Sequence, residues 1–184
     1  PRALAGGEKQ RVAIARAFAR DLYLLLFDEP FANLDAKFRG QARVELRRLL
    51  DSFPVTSVFV PHDQMEAASL SERIVLMREG RIEQIGNYQI LRNDPATVFA
   101  AQFIGTPTIN LFAGDIQDAQ WHGDHFGAVP APTTARNGMD VLMGLRADAI
   151  HLAPEGLKVR IVEITHFFAE RQSVIDVALD NMPF

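Results

Sequence analysis

Two adjacent carboxylates, Asp28 and Glu29, follow the apolar run Leu24-Leu25-Leu26-Phe27. A strand ending this way delivers both to its C-terminal edge, where open α/β sheets bind ligands. Neighbouring side chains on a strand point apart, so the two can hold different roles. One can hold Mg2+, usually through water; the other can orient or deprotonate an attacking water. Pro61-His62-Asp63-Gln64 closes a second apolar run, Val55 to Val60. An imidazole there can donate a hydrogen bond to a phosphate. Leu4-Ala5-Gly6-Gly7-Glu8 precedes a helical pattern. Its glycines let backbone N–H groups approach an anion, and the helix N-terminus adds a positive dipole end. Each element alone has a structural reading: an acidic strand end, a flexible loop, a packed histidine. Together, in this order and spacing, they are far more specific.

These residues need a scaffold that the pattern supplies. Pro1 to Gly7 reads as a loop and Glu8 to Arg20 as a helix, with Val12, Ala15, Phe18 and Ala19 on one face. Tyr23 to Phe27 is continuously apolar, as expected of a parallel strand covered on both faces. Asp35 can cap a helix over Ala36 to Ser52. Phe38, Ala42, Leu46, Leu49 and Phe53 form its apolar stripe. Arg39, Arg43, Arg47 and Arg48 mark a solvated face with local pairs such as Asp35–Arg39 and Arg47–Asp51. A helix is predicted over Gln64 to Leu70. Ile74 to Met77 and Arg81 to Ile85 read as a hairpin, and helical stretches follow near Tyr88 to Leu91 and Ala96 to Phe103. Strand, helix, strand argues an α/β layer with a parallel sheet. Gly and Pro become frequent from Gly105, between the apolar runs Asn110 to Phe112, Val141 to Leu145, Val159 to Ile164 and Val174 to Leu179. That spacing predicts a small all-β domain, with residues 1–107 and 108–184 as the two parts.

Composition narrows the classes. At 48% hydrophobic and 23% charged residues, the chain is ordinary for a folded protein and wrong for a disordered one. A net charge of −4 argues against a nucleic-acid partner, as does the lack of clustered basic and aromatic residues after residue 106. With no cysteine, disulfides, a thiolate nucleophile and a Cys-ligated zinc site are excluded. No apolar run reaches the length of a membrane helix.

Leu4-Ala5-Gly6-Gly7-Glu8-Lys9-Gln10-Arg11-Val12 resembles the LSGGQ-x-QRV signature of ABC ATPases. Leu24 to Glu29 looks like their Walker B strand, Ala32-Asn33-Leu34-Asp35 like the D-loop, and Pro61-His62-Asp63-Gln64 like the switch-histidine segment. The resemblance continues through Glu72 to Gln84, Asp94-Pro95-Ala96 and Phe103-Ile104-Gly105. Gly144-Leu145-Arg146-Ala147-Asp148-Ala149-Ile150 resembles an element of the accessory OB-like (TOBE) domain of importer ATPases. The implied fold is the C-terminal part of a P-loop NTPase-type ABC domain followed by a partial OB-like domain. The resemblance implies that Asp28 serves the Mg2+ of ATP through water, Glu29 polarises the attacking water, and His62 contacts the γ-phosphate. It implies that Ala5, Gly6, Gly7 and Glu8 meet the ATP of a partner subunit and that Asp35 lies at the dimer interface. The implied protein is a peripheral subunit at the cytoplasmic face of the membrane. It works as a homodimer or paired ATPase, with a permease and, indirectly, a solute-binding protein. Phe103-Ile104-Gly105 with Asn110-Leu111 looks most like the sugar and glycerol-phosphate importer branch.

The sequence departs from the family at identifiable points. No G-x-x-x-x-G-K-[ST] occurs in the 184 residues. The phosphate-cradling loop is expected upstream of Pro1, the chain is expected to be cut at both ends, and alone it is expected to be inactive. Ala5 stands where Ser is usual, which removes a hydroxyl bond to phosphate worth about 1.5–3 kcal/mol. Glu8 replaces Gln and adds negative charge near the anion-binding end, and Pro61 replaces Thr and removes an N–H. These changes are expected to lower activity rather than abolish it. The alternative function is a non-catalytic assembly or regulatory module of an ABC transporter. His122-Gly123-Asp124-His125 reads as a hairpin turn rather than a metal site, and His151, His166 and Phe167-Phe168 as packing residues.

Overall fold

The computed structural model describes residues 6–20, 22–32, 34–123, 126–151, 153–167 and 172–179, by backbone only at 6–11, 36 and 37. It forms two compact units, Pro1–Ala100 and Ala101–Phe184.

The first unit runs α1 (Gly6–Phe18), β1 (Leu24–Asp28), α2 (Ala36–Ser52), β2 (Thr56–Val60), α3 (Gln64–Leu70), β3 (Ile74–Arg78), β4 (Arg81–Gly86) and α4 (Tyr88–Asn93), then enters α5 (Val98–Phe103). β1 and β2 pair in parallel, from Leu24 opposite Thr56 to Asp28 opposite Val60. With α2 between them they form the expected strand–helix–strand layer. Leu25, Phe27, Phe31, Leu46 and Leu70 make the core. Phe27 and Phe59 stack across the two strands, centroids 4.5 Å apart and planes 5° from parallel.

Four local expectations are corrected. α1 begins at Gly6, so both glycines sit in its first turn rather than in a loop. The first N–H groups of a helix have no intrahelical partner, so a Gly pair can occupy them without breaking the ladder. The core-facing side of α1 carries Ile14, Ala17 and Phe18, while Val12 is exposed. An Ala-rich helix gives periodicity little contrast from which to choose a face. On α2 the buried stripe is Ala42, Leu46 and Leu50, with Phe38 and Leu49 exposed. Phe53, just past its end, is partly exposed and meets Phe18 at 5.1 Å. Finally, β1 is covered on one face only: Leu25 and Phe27 are buried, whereas Leu26 is 73% exposed. Leu24, Val58 and Val60 are also exposed. Among the described residues this sheet has two strands, with the core on one side.

Asp35 caps α2 as predicted, its carboxylate accepting the Phe38 N–H at 3.1 Å. The predicted Asp35–Arg39 ion pair does not form: the Arg39 N–H donates to the Asp35 carbonyl at 3.0 Å and its guanidinium to the Leu34 carbonyl at 3.2 Å. Arg47 does pair with Asp51, at 3.0 Å. It also donates to the Leu70 carbonyl (2.9 Å) and to Glu72 (2.7 Å), tying α2 to the end of α3. The bond from Arg47 holds the Glu72 carboxyl below its ordinary value.

β3 and β4 form an antiparallel hairpin through Glu79-Gly80. Its second strand organises the segment from Asp94 to Thr97. The Gln84 side chain donates to the Asp94 carbonyl (2.9 Å) and accepts the Ala96 N–H (2.8 Å). Pro95, between them, has no N–H to offer. Glu83 accepts from the Thr97 hydroxyl at 2.6 Å.

The second unit is mainly β. β5 (Asn110–Gln117), β6 (Gln120–Gly123), β7 (Phe126–Pro130) and β8 (Asp140–Leu145) form an antiparallel sheet in the order β7-β6-β5-β8. A 3₁₀ turn, Ala147–Ala149, follows, and β9 (Val159–Phe167) and β10 (Gln172–Leu179) pair as a separate antiparallel ribbon. The four apolar runs marked strands β5, β8, β9 and β10. β6 and β7 pair on either side of residues 124–125, and the predicted turn itself falls on those two residues, outside the described ones. His125 and Phe168 lie outside the described residues. His151 and Phe167 are exposed rather than packed. His166 is exposed too, its Nδ1 2.8 Å from the Ser173 hydroxyl.

Arg146 donates to the Ile104 carbonyl at 2.8 Å. Two stretches that carry the family resemblance thus meet inside this unit. Gly105 has φ +114°, and a Cβ there would sit 2.6 Å from Arg146 Nη1. Both the conformation and the close approach call for glycine.

Trp121, the sole tryptophan, is buried and lies edge-on to Phe126 at 5.7 Å. A Cβ on Gly114 would overlap the His122 carbonyl oxygen and the Trp121 ring. Gly114→Ala is therefore expected to destabilise this unit by about 1–3 kcal/mol, as overpacking does. A urea titration followed by Trp121 fluorescence checks it; a midpoint matching the wild type would show that the ring has room to move.

Candidate functional site

Parallel pairing brings the C-terminal ends of β1 and β2 to one edge. Asp28 is the last residue of β1, opposite Val60. By alternation it lies on the exposed face of the strand, with Leu24 and Leu26. Glu29 follows at φ +42°, in the left-handed region that is unfavourable for a side chain with a Cβ. Its N–H donates to the Val60 carbonyl at 2.9 Å, so the ladder continues one residue past β1 while the chain turns. Ala32 N–H then closes a turn onto the Glu29 carbonyl at 3.1 Å. Phe31, 1% exposed, anchors this turn in the core.

On the neighbouring strand, Pro61 and His62 follow Val60. The His62 N–H donates to Glu66 Oε2 at 3.1 Å, and the Glu66 N–H donates to Asp63 Oδ1 at 2.7 Å. Asp63 thereby caps α3. The side chains of Asp28, Glu29 and His62 are all exposed. The structure thus places two carboxylates and an imidazole at one edge of a parallel pair, open to a ligand. A carboxylate there can take a cation through water, and a second carboxylate and an imidazole can meet water and phosphate.

The other candidate residues lie apart from this edge in the chain. Gly6, Gly7 and Glu8 form the first turn of α1, and Ala5 lies outside the described residues. Asp35 is exposed at the start of α2. A depression lined by Ala113, Gly114, Asp115 and Asp140 belongs to the second unit alone. Among the described residues, no group of three or more His, Asp or Glu side chains could hold a metal by itself. Asp28 would hold Mg2+ only together with water and the phosphates of a ligand, which suits a cation that keeps most of its water. No helix among the described residues is long and apolar enough to cross a membrane.

Sequence reasoning passes over Phe31 and Glu66. Phe31 stands alone between Pro30 and Ala32, outside any periodic run. Glu66 is charged, on a short helix whose pattern marks it as solvent-facing, yet it is 1% exposed.

The ABC transporter family model matches residues 1–32, which include α1 and the Asp28-Glu29 strand end. The sn-glycerol-3-phosphate import ATP-binding protein UgpC of Rhizobium meliloti (strain 1021) is 45% identical over 153 residues. That alignment covers 83% of this chain and 42% of the relative. This chain is homologous to the ATP-binding subunits of ABC transporters. UgpC 1 of Rhizobium johnstonii (strain DSM 114642 / LMG 32736 / 3841) is 40% identical over the whole chain and 52% of its own length. The chain therefore spans about half the length of the curated relatives it matches. A solved dimeric ATP-binding cassette, MJ0796 bound to ADP and phosphate, aligns at 37% identity with 47% of this chain and 37% of its own, TM-score 0.42. The family-model match takes in the strand end with Asp28 and Glu29 and stops before His62.

Proposed function

We propose that the complete subunit containing this chain binds and hydrolyses MgATP to power import of a glycerol phosphate or sugar through a membrane permease. The observation that carries this reading is the shared edge of β1 and β2, where Asp28 and Glu29 end one strand, His62 follows the other, and the Glu29 N–H is bonded to the Val60 carbonyl. The names of the relatives support the glycerol-phosphate assignment.

Asp28 would hold Mg2+ through water, and the cation would supply charge neutralisation for the phosphates of ATP. Glu29 accepts a hydrogen bond from the attacking water and orients it in line with the γ-phosphorus. His62 donates to the γ-phosphate as negative charge develops. Gly6 and Gly7 present N–H groups of the first turn of α1 to the phosphates of ATP bound by a partner subunit, beside Ala5 and Glu8. Asp35 sits at the interface that closes the dimer. The subunit is peripheral at the cytoplasmic face, meets a solute-binding protein only through the permease, and binds no nucleic acid. Residues 1–107 form the later part of the nucleotide-binding domain and 108–184 part of an OB-like TOBE domain. The antiparallel β5–β8 sheet is consistent with that assignment.

The test is Mg2+-dependent phosphate release from the complete subunit, with a polypeptide of these 184 residues as comparison. Turnover by the complete subunit and none by the 184-residue polypeptide, which holds no phosphate-cradling loop, is the expected pair. A complete subunit that stays inert alone and with its permease would sink the motor reading and favour a non-catalytic assembly module.

A further inference from the structure

We propose that Glu66 is a positioning residue that sets the placement of His62, an inference that rests on the ATPase reading of the site. Glu66 is a carboxylate in the first turn of α3 and is 1% exposed. One of its oxygens, Oε2, accepts the His62 N–H at 3.1 Å. The other, Oε1, is buried and has no hydrogen-bond partner among the described residues. Burying a half-satisfied carboxylate is unfavourable for stability, and an apolar residue would serve packing better at such a position. A cap for α3 does not require it, because Asp63 already fills that role. What Glu66 uniquely supplies is a strong acceptor at the one N–H between Pro61 and Asp63.

The consequence is a continuous run of constraints between the two reacting groups. Glu29 N–H is fixed to the Val60 carbonyl. Pro61 fixes its own φ. His62 N–H is fixed to Glu66, and Glu66 N–H to Asp63. Without the Glu66 carboxylate, His62 still follows β2 but loses the bond that orients its backbone, and with it the aim of the imidazole. In this role Glu66 acts only through His62.

The experiment compares Glu66→Ala, Glu66→Gln, His62→Ala and the Glu66→Ala/His62→Ala double variant in the complete subunit. kcat and KM for MgATP are measured alongside amide hydrogen exchange at His62. Glu66→Ala is expected to lower kcat by about 10- to 100-fold, the scale of a small misplacement of a reacting group. KM should change less than about twofold, and exchange at His62 should quicken by about tenfold or more, as for an amide released from its bond. Glu66→Gln, whose amide oxygen can accept the same N–H, should recover most of the lost kcat. In the His62→Ala background, removing Glu66 should cost no further activity, because the pair acts as one unit. Additive losses, no rescue by glutamine, or a kcat within twofold of wild type in Glu66→Ala would each overturn the proposal. Should Glu66→Ala unfold, seen as fast exchange at Leu46 as well, Glu66→Gln and the same His62 readouts decide. Should the wild type not turn over ATP, the reading of the site falls, and exchange at His62 still tests Glu66: unchanged exchange overturns it.

Discussion

Glu29→Gln is expected to lower MgATP turnover of the complete subunit by about 10²–10⁴-fold, the usual worth of a positioned general base. The substitution keeps size, shape and the Cβ, so the left-handed backbone at φ +42° and the 2.9 Å bond to Val60 persist. It removes the negative charge that, in the proposed mechanism, draws a proton from the attacking water. Asp28 lies on the adjacent residue with its own ligand to serve and cannot take over. Steady-state phosphate release measures the loss, and nucleotide binding followed in parallel should stay within a few-fold. A variant retaining more than a tenth of wild-type turnover would show that the water is activated by another group, and the assignment of Glu29 would fail.

Phe31→Ala carries the largest expected loss of stability, about 3–5 kcal/mol, as for other fully buried aromatic truncations. Phe31 packs with Leu25, Phe27, Leu46 and Leu70, so its removal opens the centre of the only core cluster found among the described residues of the first unit. It also sits in the turn between Glu29 and Asp35, where Leu34 N–H bonds its carbonyl at 3.1 Å. The loop that leads from Glu29 to the α2 cap thus loses its anchor as the core loses volume. Urea denaturation of the complete subunit, read at its first transition, checks the value; Phe31→Leu should recover much of it. A shift below about 1 kcal/mol, the typical size for an ordinary surface change, would mean that the turn collapses into the gap or that Phe31 is not packed as described.

Much of this arrangement is legible in the amino-acid sequence, and the reason differs by element. α3 and α2 match their predicted bounds because Asp63 and Asp35 are capping residues placed just before helical patterns. The β3–β4 hairpin is marked by Glu79-Gly80 between apolar runs. The strand end with Asp28 and Glu29 is marked by four apolar residues followed by two carboxylates. Less is legible where an interaction is distant along the chain. Nothing local says that Gln84 bridges the backbone across Pro95, or that Arg146 reaches Ile104. β6 lacks a strong apolar run: Gln120, His122 and Gly123 surround Trp121, and pairing with β5 and β7 makes it a strand. The buried faces of α1 and α2 differ from the periodic pattern for a related reason. Hydrophobicity alone ranks Phe38 and Leu49 above Ala42, yet Ala42 packs against the core while Phe38 and Leu49 are exposed. Glu66 is the clearest case: a charge pattern predicts solvent, and only the fold reveals a buried acceptor.

With the proposed role of Glu29, its left-handed backbone sets stability and turnover against each other at a single position. Glycine would relieve a conformational penalty of about 1–2 kcal/mol there, and asparagine part of it. Neither can take a proton from water. A library of this domain screened only for heat resistance would be drawn toward those residues at 29 and would return well-folded, inert proteins. Engineering for robustness has to hold that codon fixed and seek its gains elsewhere, for instance at the exposed Val12 and Val44 on helices α1 and α2, where ordinary helix propensity decides.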